Sequence, residues 1–152
     1  PAFLLSKMNK LTPIVKENLS SGMVLMDIQE DVRGSFLRII VDAEEPITLD
    51  DTTNLSKRLR NSDHFESLFP TGFRLEVTTP GVDKSLEHPF QYRKNLNREL
   101  TVEFFDGDEL NKTAGKIINA DDEKVILNND GIDIELSYDL IQSAKVSLSF
   151  KK

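Results

Sequence analysis

The sequence predicts an α+β protein of two domains, with the order α-β-β-α-β in the N-terminal domain and an all-β C-terminal domain. Three observations support this prediction. Before residue 61, one segment has apolar residues at helical spacing and a second begins with residues that favour a helix N-terminus, and apolar residues alternate with polar ones in several short segments. Turn residues become frequent after residue 98. A length of 152 residues is sufficient for two small domains.

The N-terminal domain, predicted over residues 1–80, is expected to have two layers, with its helices on one face of a small sheet. Its first helix is indicated by apolar residues three or four positions apart: Leu4, Met8, Leu11, Val15 and Leu19. Thr48 followed by Asp50 and Asp51 predicts a second helix, because a hydroxyl cap and early carboxylates stabilise a helix N-terminus. Strands are predicted at residues 23–31, 35–42 and 72–79, with a hairpin at Val32-Arg33-Gly34 between the first two.

The C-terminal domain, predicted over residues 98–152, is expected to be a small closed barrel of five short strands. Turn residues separate these strands, and Asn129-Asp130-Gly131 is the strongest hairpin signal in the chain. The strands are predicted at residues 100–105, 114–120, 124–128, 132–137 and 145–150, with a short helical turn at 138–143 before the last one. Residues 81–97 are predicted to be a linker with a short helical turn, since prolines interrupt regular structure on both sides.

The net charge of −7 disfavours a globally basic nucleic-acid binder. The charge is uneven, because residues 57–98 have 8 basic and 5 acidic side chains, whereas residues 99–152 have 6 basic and 12 acidic ones. The acidic segment either attracts a basic partner or keeps the protein soluble. Five basic residues of the middle segment either contact rRNA phosphates or are solvated charges: Arg74, Lys84, Arg93, Lys94 and Arg98.

The sequence offers little chemistry for catalysis, and we predict a protein that is not an enzyme and uses no cofactor or metal. It has no Cys, and its two histidines, His64 and His88, do not have a metal-ligand spacing. It contains no glycine-rich phosphate loop and no Gly-x-Ser-x-Gly nucleophile motif. The acidic clusters at residues 106–109 and 121–123 lack the spacing of a calcium loop, so we interpret both as turns.

One segment resembles a known family. Residues 73–86 read Phe-Arg-Leu-Glu-Val-Thr-Thr-Pro-Gly-Val-Asp-Lys-Ser-Leu, and Phe90 follows. This segment strongly resembles the ribosome maturation factor RimP family, in which a strand reads Tyr-x-Leu-Glu-Val-Ser-Ser-Pro-Gly and is followed by Leu-Asp-Arg-Pro-Leu. Lys84 and Ser85 stand where the family usually has Arg and Pro. Three further segments are similar to the family, in the same order along the chain: residues 38–42, 47–51 and 136–141.

The resemblance implies a cytoplasmic bacterial assembly factor without enzymatic activity that binds the immature small ribosomal subunit. It implies an α+β N-terminal domain followed by an Sm-like barrel, and we expect a monomer. The implied partner is the twelfth small-subunit ribosomal protein, contacted largely through the barrel; such a protein is basic, which suits the acidic C-terminal segment. Contact with small-subunit rRNA is a further expectation. The alternative is a free-standing RNA-binding module that uses the basic residues between positions 74 and 98.

The motif at residues 73–86 also predicts a sharp turn between the domains, formed by Pro80 and Gly81. Pro80 cannot extend the strand, and Gly81 is expected to adopt a positive φ that other residues resist. Asp83 is expected to cap the following turn through its carboxylate.

Two groups of charged residues complete the predicted binding set. Glu76, Asp83 and Lys84 either bind the partner or rRNA or have a structural role, and Glu76 is expected to be exposed or paired with a basic neighbour such as Arg74. The second group lies at the tip of a predicted hairpin, where side chains are exposed and have few packing duties. It is expected to attract the basic partner and consists of Asp106, Asp108 and Glu109.

Overall fold

The computed structural model describes residues 2–31, 36–69 and 72–147. These residues have the predicted α+β class, with helices and a three-stranded sheet followed by a mostly antiparallel region. The chain divides into two compact units, residues 1–80 and residues 81–152, called here the first and the second unit. Several predicted features lie outside the described residues: the hairpin at Val32-Arg33-Gly34, residues 148–150 of the last strand, and the side chains of Leu4, Met8 and His64.

The first unit contains the helices and strands expected from the sequence and one additional short helix. They are α1 (Ala2–Asn18), β1 (Met23–Asp31), β2 (Phe36–Ala43), α2 (Leu49–Arg60), α3 (Asp63–Ser67) and β3 (Arg74–Thr78). Strand β2 is central, pairing antiparallel with β1 and parallel with β3. Thr48 caps α2 as predicted: its Oγ1 accepts the N–H of Asp51 at 3.1 Å, and Asp51 Oδ2 accepts the N–H of Thr48 at 2.9 Å.

Alternation along β2 builds the core of the first unit. Leu37, Ile39 and Val41 are fully buried and point to the same face of the sheet. The buried side chains that pack with them come largely from the helices: Leu11, Val15, Leu55, Leu59, Phe65 and Phe69. The other face of the same strand presents Phe36 and Arg38, which are partly exposed. The helices therefore cover one face of the sheet, in the two-layer arrangement that the sequence predicts.

The second unit is one antiparallel sheet preceded by a short helix. Its elements are α4 (Pro89–Arg93), β4 (Glu99–Asp106), β5 (Glu109–Ala120), β6 (Lys124–Asn129), β7 (Ile132–Ser137), a 3-10 turn (Tyr138–Leu140) and β8 (Ile141–Val146). The strand order is β7-β6-β5-β4-β8. The sequence predicted a closed barrel, but within residues 81–147 no pairing joins β7 to β8, so the described sheet is open. The last strand also begins four residues earlier than predicted, because the helical turn is only three residues long.

Residues 81–97, predicted as a linker, pack against the sheet of the second unit. Tyr92 is 2 % exposed within its core, and Leu86 packs against the same cluster. Ser85 Oγ accepts the N–H of Ala144 at 2.9 Å, and the N–H of Leu86 donates to the Ala144 carbonyl at 2.7 Å. The backbone N–H and carbonyl of Ala144 therefore both have partners on the side of β8 that faces away from β4. On that side an edge strand otherwise has unpaired backbone groups.

These contacts predict where the second unit can be separated. A fragment of residues 81–152 should fold alone, whereas a fragment of residues 98–152 should be less stable by about 3 kcal/mol or more, since it lacks a fully buried aromatic side chain. Amide dispersion by NMR and urea unfolding of the two fragments measure the difference. Tyr92→Phe in the longer fragment is the control and should keep most of the stability, because the ring remains. Equal stability of the two fragments would contradict the role given to Tyr92.

Candidate partner-binding surface

The tip of the β4–β5 hairpin is an exposed acidic surface. The register of the two strands ends with the pair Asp106 and Glu109, so the loop consists of Gly107 and Asp108. Gly107 has φ +64, as expected for glycine in a two-residue hairpin loop. The carboxylates that the sequence singled out, Asp106, Asp108 and Glu109, are all exposed. Residues 104–111 contain three acidic side chains and no basic one, so this tip attracts cations and repels phosphate.

The second acidic cluster, at residues 121–123, has structural partners. The Asp121 carboxylate accepts the N–H groups of Glu123 and Lys124, both at 2.8 Å, and these hydrogen bonds lower the pKa of Asp121. Asp122 forms an ion pair with Arg93 at 3.0 Å. This cluster is therefore a turn, as predicted, and part of its charge is compensated within the second unit.

The five basic residues predicted to contact rRNA are not gathered on one element. Arg74 is in β3 of the first unit, whereas the other four are in the second unit. The Arg74 guanidinium lies 5.6 Å from the centroid of the Phe36 ring, and Arg93 is paired with Asp122. Lys84, Lys94 and Arg98 are exposed. Arg74 and Arg93 thus have intramolecular contacts, and we find no arrangement that favours a continuous basic groove within either unit's described residues.

Glu76 is exposed, as predicted, but its basic partner is Arg38 rather than the expected Arg74. Strands β2 and β3 run parallel with Arg38 directly opposite Glu76, and Arg38 Nε donates to Glu76 Oε1. Both side chains are nearly half exposed, so the pair contributes about 1 kcal/mol at most. The parallel register places Arg38 opposite Glu76, whereas Arg74 is occupied with the neighbouring aromatic ring.

The turn after β3 differs from the prediction in one respect. The N–H of Lys84 donates to the Gly81 carbonyl at 3.0 Å, which closes a turn over residues 81–84. The expected positive φ of Gly81 is wrong, because Gly81 is not among the residues with left-handed backbone. A Cβ at this position would meet only Asp83 Oδ1, at 2.9 Å, which is the end of an exposed, flexible side chain. Asp83 therefore lies inside this turn, and Gly81 is not required by backbone strain.

Tyr92 and Tyr138 form an aromatic pair whose rings are tilted by 48° to each other. Their ring centroids are 4.8 Å apart, and Tyr138 Oη donates to the Asp121 carbonyl at 2.8 Å. Burial raises the pKa of Tyr92 above the usual value, and the nearby Tyr138 adds to the effect. Burial and the Asp121 carboxylate raise the pKa of Tyr138 to about 12.

Comparison with known families identifies the first unit. Residues 11–83 match the RimP N-terminal domain. The chain therefore contains the N-terminal domain of the ribosome maturation factor RimP family. The match includes the Leu-Glu-Val-x-x-Pro-Gly-x-Asp core of the segment on which the resemblance rested, and it confirms that resemblance. RimP proteins are non-enzymatic maturation factors, so the presence of this domain implies a role in ribosome maturation in general.

Two further properties of the described residues bear on function. No group of three or more His, Cys, Asp or Glu side chains among them is placed to hold a metal ion. None of the helices in the part of the chain that the structure describes is both long and apolar enough to cross a membrane.

Sequence reasoning missed two exposed apolar residues beside the acidic tip. Phe105 and Leu110 are directly opposite each other on β4 and β5, and they are 38 % and 52 % exposed. The alternation of β4 indicates their position, since Leu100 and Val102 are buried and Phe105 falls on the opposite face. The adjacent Phe104 obscured this signal, because two consecutive aromatic residues do not reveal which one faces the core.

The geometry at two glycines predicts responses to alanine that differ in size. Gly81→Ala should change the free energy of unfolding by less than about 1 kcal/mol, because its backbone is ordinary and Asp83 can rotate away. Gly115→Ala in β5 should cost about 1–3 kcal/mol, since its Cβ would lie 3.0 Å from the backbone oxygen of Asn128. Urea unfolding of both variants measures the difference. A larger loss from Gly81→Ala would mean that the turn is more constrained than its φ indicates.

The tyrosine pair predicts a loss of stability at alkaline pH. An unfolded tyrosine ionises near pH 10, whereas both pKa values are raised in the folded protein, so the folded state holds its protons more tightly. The stabilisation is complete below pH 10 and declines as the pH rises through the folded pKa values. Because the chain has two Tyr and no Trp, tyrosinate absorbance reports only this pair.

The measurement is a titration of tyrosinate absorbance, which is compared with urea unfolding at several alkaline pH values. The same titration is repeated on the variant Tyr138→Phe. In this variant the absorbance of Tyr92 should rise only as the second unit unfolds. Ionisation of both tyrosines near pH 10 without loss of stability would contradict this interpretation.

Proposed function

We propose that this RimP-family protein is a non-enzymatic assembly factor that binds the immature small ribosomal subunit in the cytoplasm as a monomer. The partner we propose is a basic small-subunit ribosomal protein, the twelfth in the standard order, and the second unit is the main contact. The observation that carries this proposal is the exposed acidic tip of the β4–β5 hairpin, found in a chain whose first unit matches the RimP N-terminal domain.

The distribution of charge supports a protein partner for the second unit. This unit has 14 acidic and 10 basic side chains, and four of the basic ones precede β4: Lys84, Arg93, Lys94 and Arg98. The acidic residues concentrate in the hairpin loops and turns that follow. A field of this kind accelerates the approach of a basic protein, and its effect decreases as salt is added.

We propose further that the sheet of the second unit, although open in the described residues, has the curvature of the Sm-like barrel that the family resemblance implies. Register shifts leave Ile118 of β5 and Gln142 of β8 without a paired residue, and such bulges bend strands and increase their twist. Gly115 of β5 has no Cβ, which allows the Asn128 backbone to approach closely. These three features favour a strongly curved sheet.

The alternative, a free-standing RNA-binding module based on the basic residues between 74 and 98, receives less support. Arg93 is paired with Asp122, Arg74 lies over Phe36, and no continuous basic groove is described within either unit. Direct contact of the remaining basic residues, Lys84, Lys94 and Arg98, with small-subunit rRNA stays a proposal that the experiment below includes.

The experiment is co-sedimentation with free small ribosomal subunits and with assembled ribosomes, at low and high salt. The wild-type protein should bind the free subunits in preference to assembled ribosomes. The triple variant Asp106→Asn, Asp108→Asn and Glu109→Gln should bind about tenfold more weakly at low salt, and this difference should diminish at high salt.

A matched control removes the same number of charges from exposed positions elsewhere in the second unit: Glu87→Gln, Glu99→Gln and Asp139→Asn. It should bind more tightly than the hairpin variant. Absence of wild-type binding to small subunits at low salt would contradict the proposal. The RNA-binding alternative would be favoured by a different result. In that case Lys94→Ala/Arg98→Ala would lose binding to naked small-subunit rRNA, and the acidic triple variant would keep wild-type binding in every assay.

A further inference from the structure

The tip of the β4–β5 hairpin combines its carboxylates with an exposed apolar pair. Phe105 and Leu110 are opposite each other in the ladder, one residue pair before the loop. They lie on the face of the sheet that does not contribute to the core, since Leu100 and Val102 of the same strand point the other way. Each leaves more than a third of its surface in water.

Folding alone gives little reason for this pair. Ile132, the exposed apolar residue at the β6–β7 hairpin, is opposite Asn129 and therefore has no apolar partner in its strand pair. Phe105 and Leu110, in contrast, form a cross-strand apolar pair with carboxylates on the two residues next to the loop, Asp106 and Glu109. An apolar centre inside a charged rim is the usual composition of a small protein-binding hot spot.

We infer that Phe105 and Leu110 are the apolar anchors of this surface, and that they bind a basic protein segment that places an apolar side chain against them. This inference rests on the proposed function and specifies the chemistry of the same surface. The occupant follows from charge complementarity, because residues 104–111 have three acidic side chains and no basic one. The same carboxylates repel phosphate, so the occupant is a protein segment rather than a nucleic-acid backbone.

The two kinds of side chain have separable effects on binding. The exposed carboxylates act mainly on the rate of association and are screened by salt. Buried apolar contacts act mainly on dissociation, and salt does not screen them. Replacing the apolar pair should therefore weaken binding at every salt concentration, whereas neutralising the carboxylates should weaken it chiefly at low salt.

The test uses the full chain with Phe105→Thr/Leu110→Thr, which removes the apolar surface and keeps residues that favour strands. Its binding to free small ribosomal subunits is compared with that of wild type and of Ile132→Thr, an equally drastic change at the other exposed hairpin. We expect the double variant to lose about tenfold or more in affinity at both low and high salt. We expect Ile132→Thr to bind like wild type.

Hydrogen exchange of the wild-type protein supplies a second measurement that does not depend on how the variant folds. Amides of residues 104–111 should become protected when small subunits are added. The inference would be overturned by unchanged affinity of the double variant, by an equal loss of affinity in Ile132→Thr, or by no protection of residues 104–111. As long as the wild-type protein binds small subunits, each of these outcomes leaves the proposed function intact. A loss confined to naked rRNA would overturn the assignment to a protein segment. Absence of wild-type binding would overturn both proposals.

Discussion

The antiparallel register of β4 and β5 determines which side chains the second unit buries and which it exposes to solvent. The pairing runs without interruption from Glu99 and Lys116 to Asp106 and Glu109, and a two-residue loop fixes it at one end. Because side chains alternate between the two faces, a shift of one residue would bring Phe105 into the core and move Phe104 to the surface. The core of the unit and the composition of its acidic tip are therefore two consequences of the same hydrogen-bond register.

A second constraint acts at the free edge of the sheet, where the backbone of Ala144 needs hydrogen-bond partners. Strand β8 ends the described strand order, and an edge strand with free backbone groups pairs readily with other chains. Ser85 and Leu86 satisfy the N–H and the carbonyl of Ala144, so the segment before α4 protects this edge. The hydroxyl of Ser85 supplies one of these two bonds, and Pro, which is usual in the family at this position, has no group that can do so.

Local signals in the sequence predicted the elements well. The hydroxyl of Thr48 and the carboxylate of Asp51 act across three residues, and positive φ values at Asp130 and Gly131 agree with the strongest hairpin signal. The features that sequence reasoning missed depend on distant residues. Arg38 reaches Glu76 across 38 positions through a parallel pairing, and Tyr92 is buried by strands that come after it in the chain. Whether Phe104 or Phe105 faces the core is likewise decided by tertiary packing, because local spacing fits both.

The size of the acidic tip limits how tightly it can hold a partner. Full burial of a Phe or Leu side chain contributes about 1.5–3 kcal/mol. Phe105 and Leu110 are only 38 % and 52 % exposed in the free protein, so about half of their surface is already buried. What remains for a partner to cover is therefore a fraction of that amount, and ordering the partner segment opposes it. Exposed charges increase the rate of association more than they increase affinity. A binding surface of this composition favours fast association and ready release, which agrees with the proposed role in the assembly of the small subunit.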